Sequence, residues 1–222
     1  MADTATKRYV SLRFRGFLPV AVDVETGGFN PATDALLEIA AVTLRVDEQR
    51  RWHPHETHHC HVLPFPGSRM EPESLEVTGI DPYHPFRMAV TEREALRAIF
   101  KPIRQAMKAS DCARAVLVGH NPSLDLAFIN AAAERAGVKR NPFHPFTTFD
   151  TATLGGVVFG QTVLSRAVEA AGLDWDAREA HSALYDAQRT ALFFCEVVNR
   201  WERLSGGPPP LSAVDEESEQ KG

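Results

Sequence analysis

The chain predicts an α/β domain, a mixed β-sheet flanked by helices. Three observations lead there. β-Branched, alternating stretches crowd the first third of the chain, helical spacing dominates after about residue 91, and the short apolar strand AVLVGH (residues 115–120) lies between two helical segments. Early strands followed by alternating helices and strands are the pattern of an α/β layer fold with a sheet of mixed direction.

In chain order, LPVAVDVE (18–25) alternates and is rich in valine, so it reads as a strand. ALLEIAAVTLRV (35–46) is apolar on both faces, which places it in the middle of the sheet. HHCHVL (58–63) reads as a third strand. A helix is predicted over 91–109, where Leu96, Ile99, Phe100, Ile103 and Met107 recur at helical spacing. Thr91 followed by Glu94 marks its start as a capping box. After the strand at 115–120, Asn121 and Pro122 open a helix that runs to Arg135 and is closed by Gly137. A strand at 148–151 leads to a helix at 161–171, with Gly155-Gly156 read as a turn between them. The last helix spans about 182–203. Residues 1–16 read as an N-terminal arm, 17–204 as the folded domain, and 205–222 as a disordered tail, because GGPPP and DEESEQKG are Pro/Gly-rich and polar.

Composition narrows the classes. With 222 residues, 44% of them hydrophobic, the chain has enough apolar surface for one domain with a full core. Cys60, Cys112 and Cys195 are odd in number and far apart, which excludes a disulfide framework. No apolar run reaches the roughly 18 residues that cross a bilayer, and the N-terminus lacks the apolar core of a signal peptide. The expected compartment is cytoplasmic, with no membrane partner. A net charge of −5 argues against coating duplex nucleic acid, but not against an enzyme that grips a few phosphates locally.

Three acidic signals carry the chemistry. Residues two apart on a strand share a face, so Asp23 and Glu25 project together with Ala21, opposite Val20, Val22 and Val24. Two adjacent carboxylates repel unless a cation sits between them. The same pair also reads as a strand end facing water. Asp125 falls in the first turn of the helix after AVLVGH, at a strand end where sites collect in α/β sheets. An acid there also serves the helix dipole alone. Asp186 heads the apolar stripe of the last helix, continued by Phe193, Val197 and Trp201, just after His181. It needs a partner, and Arg189 at i+3 is one. Taken in order, four carboxylates and a histidine suit two divalent cations about 3.5–4 Å apart. Oxygen ligands favour Mg²⁺, with Mn²⁺ as a substitute, over zinc. An imidazole titrating near neutrality makes His181 the candidate base for the attacking water.

With these residues in place, the chain resembles the DEDD exonucleases of the ribonuclease H-like fold, in the branch with a histidine in its last motif. The similarity extends through RFRGF, DVET, GFN, TDALLEIAA, GIDP, AAAERA, KRNPFHPF, FDTA, GQTVLS, AHSALYD and VNRW, covering most of the chain. The resemblance implies a 3′→5′ exonuclease that trims tRNA and other structured RNAs, also acts on single-stranded DNA, depends on Mg²⁺ and works as a homodimer. It assigns Asp23, Glu25, Asp125 and Asp186 to metal binding, His181 to general-base catalysis, and Asp150 to a supporting role. It further implies that the terminal bases are held at Phe29, Glu73, Val77, Leu124 and Phe146, and phosphates at Arg13, Arg15, Lys108, Arg114 and Lys139. Val77 and Leu124 stand where the resemblance expects aromatics. Base stacking on an aromatic contributes about 1–3 kcal/mol per base, so a looser grip on the last two nucleotides is expected.

Two other readings share these motifs: a DNA proofreading or repair exonuclease, and a nuclease-dead RNA-binding module. The run His53, His55, His58, His59, Cys60 and His61 also invites zinc. Alternation places His59 and His61 on one strand face and His58 and Cys60 on the other, so one regular strand cannot gather them around an ion.

Overall fold

The computed structural model describes residues 4–206. Five strands form one mixed sheet: β1 (Phe17–Thr26), β2 (Leu36–Val46), β3 (Trp52–His61), β4 (Arg114–Gly119) and β5 (Phe143–Asp150), in the spatial order β3-β2-β1-β4-β5. The β3-β2-β1 half is antiparallel and β1-β4-β5 is parallel. The helices are α1 (Thr4–Arg13), α2 (Pro72–Thr78), α3 (Glu92–Ala109), α4 (Ser123–Arg135), α5 (Thr151–Phe159), α6 (Leu164–Ala170) and α7 (Ala183–Ser205). The expected α/β architecture is therefore the one observed. Among the described residues no helix is long and apolar enough to cross a membrane.

β1 and β2 are central, and their apolar residues are buried on both faces. α7 lies across β1, β2 and β3. It comes close because Ala183, Ala187 and Ala191, spaced four apart, turn a fully buried stripe of methyls toward the core. α3 starts at the expected capping box, with the Thr91 side chain accepting from the Glu94 N–H.

Several readings change, among them the strand read from 148, which starts at Phe143 as β5. The polar start is a helix, α1, docked through buried Tyr9 and Val10, whose two apolar contacts left little periodic signal. Tyr9 donates to Glu202 Oε1 at 2.5 Å and accepts from Trp52 Nε1 at 3.3 Å, and Phe14 packs against Trp52, Phe149 and Phe194. β3 begins at Trp52 rather than at 58, since Pro54 is tolerated in an edge strand. Gly155-Gly156 is helical, inside α5. A Cβ on Gly155 would stand 2.5 Å from the Gln161 carbonyl oxygen, so this glycine lets the chain after α5 fold back closely. The last helix reaches Ser205 and ends on left-handed Gly206. The predicted tail from 207 onward lies outside the described residues.

Candidate active site

β1 brings Asp23 and Glu25 to the C-terminal end of the parallel half of the sheet. In register, Asp23 faces Ala40 and Glu25 faces Glu38. Pairing of β1 with β4 ends at Ala21, which leaves the Val24 N–H without a strand partner on that side. Asp125 takes it: its Oδ1 accepts from Val24 N at 3.0 Å. The turn that delivers Asp125 is tight. A Cβ on Gly119 would meet Pro122 Cβ at 2.9 Å, and Asn121 adopts a left-handed φ of 62°. Asp150 caps α5 by accepting from Ala152 and Thr153, and also accepts from Asn121 N at 3.0 Å, so it anchors the same turn.

From the other side, α7 carries Asp186 against the sheet. Carboxylate oxygens of Asp23, Glu25 and Asp186 lie within 4.8 Å of one another. His181, exposed and with φ of 63°, sits in the loop before α7 and donates its backbone N–H to Asp186 Oδ2 at 3.2 Å. Asp186 Oδ1 is buried with no hydrogen-bond partner. A buried acceptor left open in a ring of acids is what a divalent cation would satisfy, and the oxygen-only donor set fits Mg²⁺ or Mn²⁺.

The electrostatics agree. Burial, and then the negative charges of Asp125, Glu25, Asp186 and Glu38, hold the Asp23 carboxyl well above the usual carboxylate range. Burial and the neighbouring charge of Asp186 push Glu25 up to about 8. Asp125 is pushed to about 7 by burial, against the pull of its backbone hydrogen bonds. Asp186 is pushed to about 6 by burial, against the His181 hydrogen bond. An unfolded chain ionises such groups near about 4. Above that pH the native state therefore holds more protons than the unfolded one, and stability falls as pH rises. In a chelator, the melting temperature should drop as pH rises through 6, 7 and 8, the values of Asp186, Asp125 and Glu25. Thermal melts across that window check it; a steadily rising melting temperature would contradict the cluster's electrostatics.

The expected nucleotide contacts fall into two places. Phe29 follows β1 and is exposed, and Glu73 and Val77 are exposed on α2, tied to that loop by the Glu71 N–H to Gly27 carbonyl bond. Phe146 is exposed on β5, edge-on to His144, while Leu124 is half-buried in the first turn of α4. The basic residues lie elsewhere. Arg15 precedes β1, Arg114 starts β4, Lys108 ends α3 and exposed Lys139 follows α4, near the opposite end of the parallel strands from the carboxylates. Eight residue steps along β1 take the chain from Phe17 to Glu25, roughly 26 Å. Arg13 differs from the rest: its Nε is 2.9 Å from Glu202 Oε1 and its side chain is largely buried, so it holds α1 onto α7.

One neighbour of the site was missed. Glu38 projects from β2 beside Glu25 and accepts from the Ala183 N–H at 3.2 Å, the first residue of α7. The signal was a single acid inside the otherwise apolar ALLEIAAV.

The RNase T family model, described as exonuclease, matches residues 20–194. Ribonuclease T of Cronobacter sakazakii is 59% identical over 216 residues, 97% of either chain. Ribonuclease T of Escherichia coli K12 is 58% identical over 216 residues, 97% of this chain and 100% of that one. Among solved structures, the nuclease domain of 3′hExo bound to rAMP, a DEDDh family member, superposes with a TM-score of 0.61 at 19% identity, over 82% of this chain and 92% of that one. E. coli exonuclease I in complex with a dT13 oligonucleotide gives 0.64 at 18% identity, over 86% of this chain and 43% of that one. At that identity the last two bear on the fold alone. With the sequence relatives and the family model both spanning most of its length, the chain belongs to the ribonuclease T family of exonucleases.

Proposed function

We propose that this chain is a 3′→5′ exoribonuclease that trims the 3′ ends of tRNA and other structured RNAs and also removes nucleotides from single-stranded DNA 3′ overhangs. The observation that carries the reading is the convergence of Asp23, Glu25 and Asp186 within 4.8 Å, with Asp125 buried beside them. These four carboxylates would hold two Mg²⁺, or Mn²⁺ in their place. Bound there, the ions supply positive charge to the attacking and leaving oxygens of an in-line displacement.

The chain's own residues do the rest. His181, on the loop at the rim, takes the proton of the attacking water. Phe29 and Phe146 offer exposed faces for the terminal bases, Glu73 a base-edge acceptor, and Val77 and Leu124 aliphatic contacts that grip less firmly than rings. Arg15, Lys108, Arg114 and Lys139 contact phosphates of the double-stranded part. They lie too far along the sheet to serve the same 3′ end, which supports a homodimer in which one protomer's basic group steadies the RNA cut by its partner. Arg13 contributes through the α1–α7 contact.

The test is a 3′-overhanging tRNA and a mismatched DNA duplex, each end-labelled and incubated with enzyme and Mg²⁺. Faster stepwise loss from the RNA 3′ end is expected. Preference for the mismatched DNA would make this a proofreading or repair enzyme, and binding without cleavage of either would make it a nuclease-dead module.

A further inference from the structure

Beside the carboxylates, β2 and β3 bring together donors that the nuclease mechanism does not use. Register sets Glu38 opposite His61 and Ala40 opposite His59, so Glu38, His59 and His61 share one face. A single strand could not assemble such a group; the missing donor comes from the neighbouring strand. His59 Nε2 is 2.5 Å and His61 Nδ1 3.4 Å from the same oxygen, Glu38 Oε1. The two imidazoles meet edge to face with centroids 4.7 Å apart. His61 Nδ1 is buried yet makes no hydrogen bond. The other Glu38 oxygen is already held by the Ala183 N–H, which orients the carboxylate as an outer contact orients a metal ligand. Both rings keep partial access to solvent.

We propose that Glu38, His59 and His61 form a second cation site, selective for a zinc-class divalent ion, with a water or an anion in its fourth position. Two imidazoles and one carboxylate suit zinc, whereas the neighbouring oxygen-only cluster suits Mg²⁺. Ligand bonds near 2 Å place donors about 3–3.5 Å apart; His61 Nδ1 already stands 3.4 Å from Glu38 Oε1, and His59 Nε2, at 2.5 Å, would have to draw back and give up its hydrogen bond to admit the ion. Occupancy puts a fixed positive charge next to Glu25, the register partner of Glu38, and braces the first turn of α7 through Ala183.

Co²⁺ is the probe, added to the full chain in millimolar Mg²⁺ so that the oxygen-only cluster is filled. One equivalent should give the intense visible absorption of a four-coordinate centre, displaced by Zn²⁺, retained in Asp23→Asn and absent from His59→Ala/His61→Ala. No such band in the native chain, a band that survives loss of both histidines, or one lost in Asp23→Asn overturns the site. If circular dichroism shows the double variant misfolded, Glu38→Gln replaces it. Co²⁺ affinity reduced about tenfold or more supports the site, and unchanged affinity overturns it.

Discussion

Asp23→Asn is expected to lower turnover by about a thousandfold or more while RNA affinity stays within a few-fold of native. A metal ion contributes several kcal/mol to charge stabilisation in the transition state, and each ~1.4 kcal/mol is a factor of ten in rate. Burial, and then the charges of Asp125, Glu25 and Asp186 around it, disfavour the ionised form of Asp23. The amide carries no carboxyl to ionise and so escapes that penalty. The metal-free variant should therefore melt at a higher temperature than the native protein at pH 8. That sign separates loss of a ligand from loss of the fold, because a misfolded variant would melt lower. Single-turnover cleavage and fluorescence anisotropy on the same labelled RNA read the two halves. Native-like turnover would remove Asp23 from the site.

His181→Ala should cost about 10²–10⁴-fold in kcat, the range of a positioned general base, with KM little changed. The side chain is exposed on the loop before α7, so its removal leaves no cavity and the melting temperature should barely move. The backbone N–H that holds Asp186 Oδ2 is also kept, because alanine retains it. The informative readout is the pH–rate profile: the limb belonging to the imidazole should vanish in the variant. A profile identical to the native one would assign the base elsewhere.

Much of the fold was legible because strong local patterns agreed with tertiary demands. The alternation of LPVAVDVE, the apolar run of ALLEIAAV interrupted only by Glu38, and the Thr91–Glu94 capping box each led to the element found. The failures came where tertiary contact outweighed local propensity. α1 is held by Tyr9, Val10 and an ion pair from Arg13 to a residue 189 positions away, none of which leaves a periodic trace. Gly155 reads as a breaker, yet it is required within a helix because the following chain returns against it. The spacing of Asp23 and Glu25 on one face followed from strand geometry, but the approach of Asp125 and Asp186 depended on the order of strands in the sheet. Glu38 shows the same limit from the other side. Only the β2–β3 register reveals that it meets His59 and His61.

The central claim is that side chains distant in sequence gather around a pair of divalent ions. Anomalous scattering from a crystal grown with Mn²⁺ measures this directly. The expected result is two manganese peaks about 3.5–4 Å apart, ligated by Asp23, Glu25, Asp125 and Asp186, with the His181 imidazole facing them. Manganese bound only elsewhere, or bound here with Asp125 and Asp186 turned away, would contradict it.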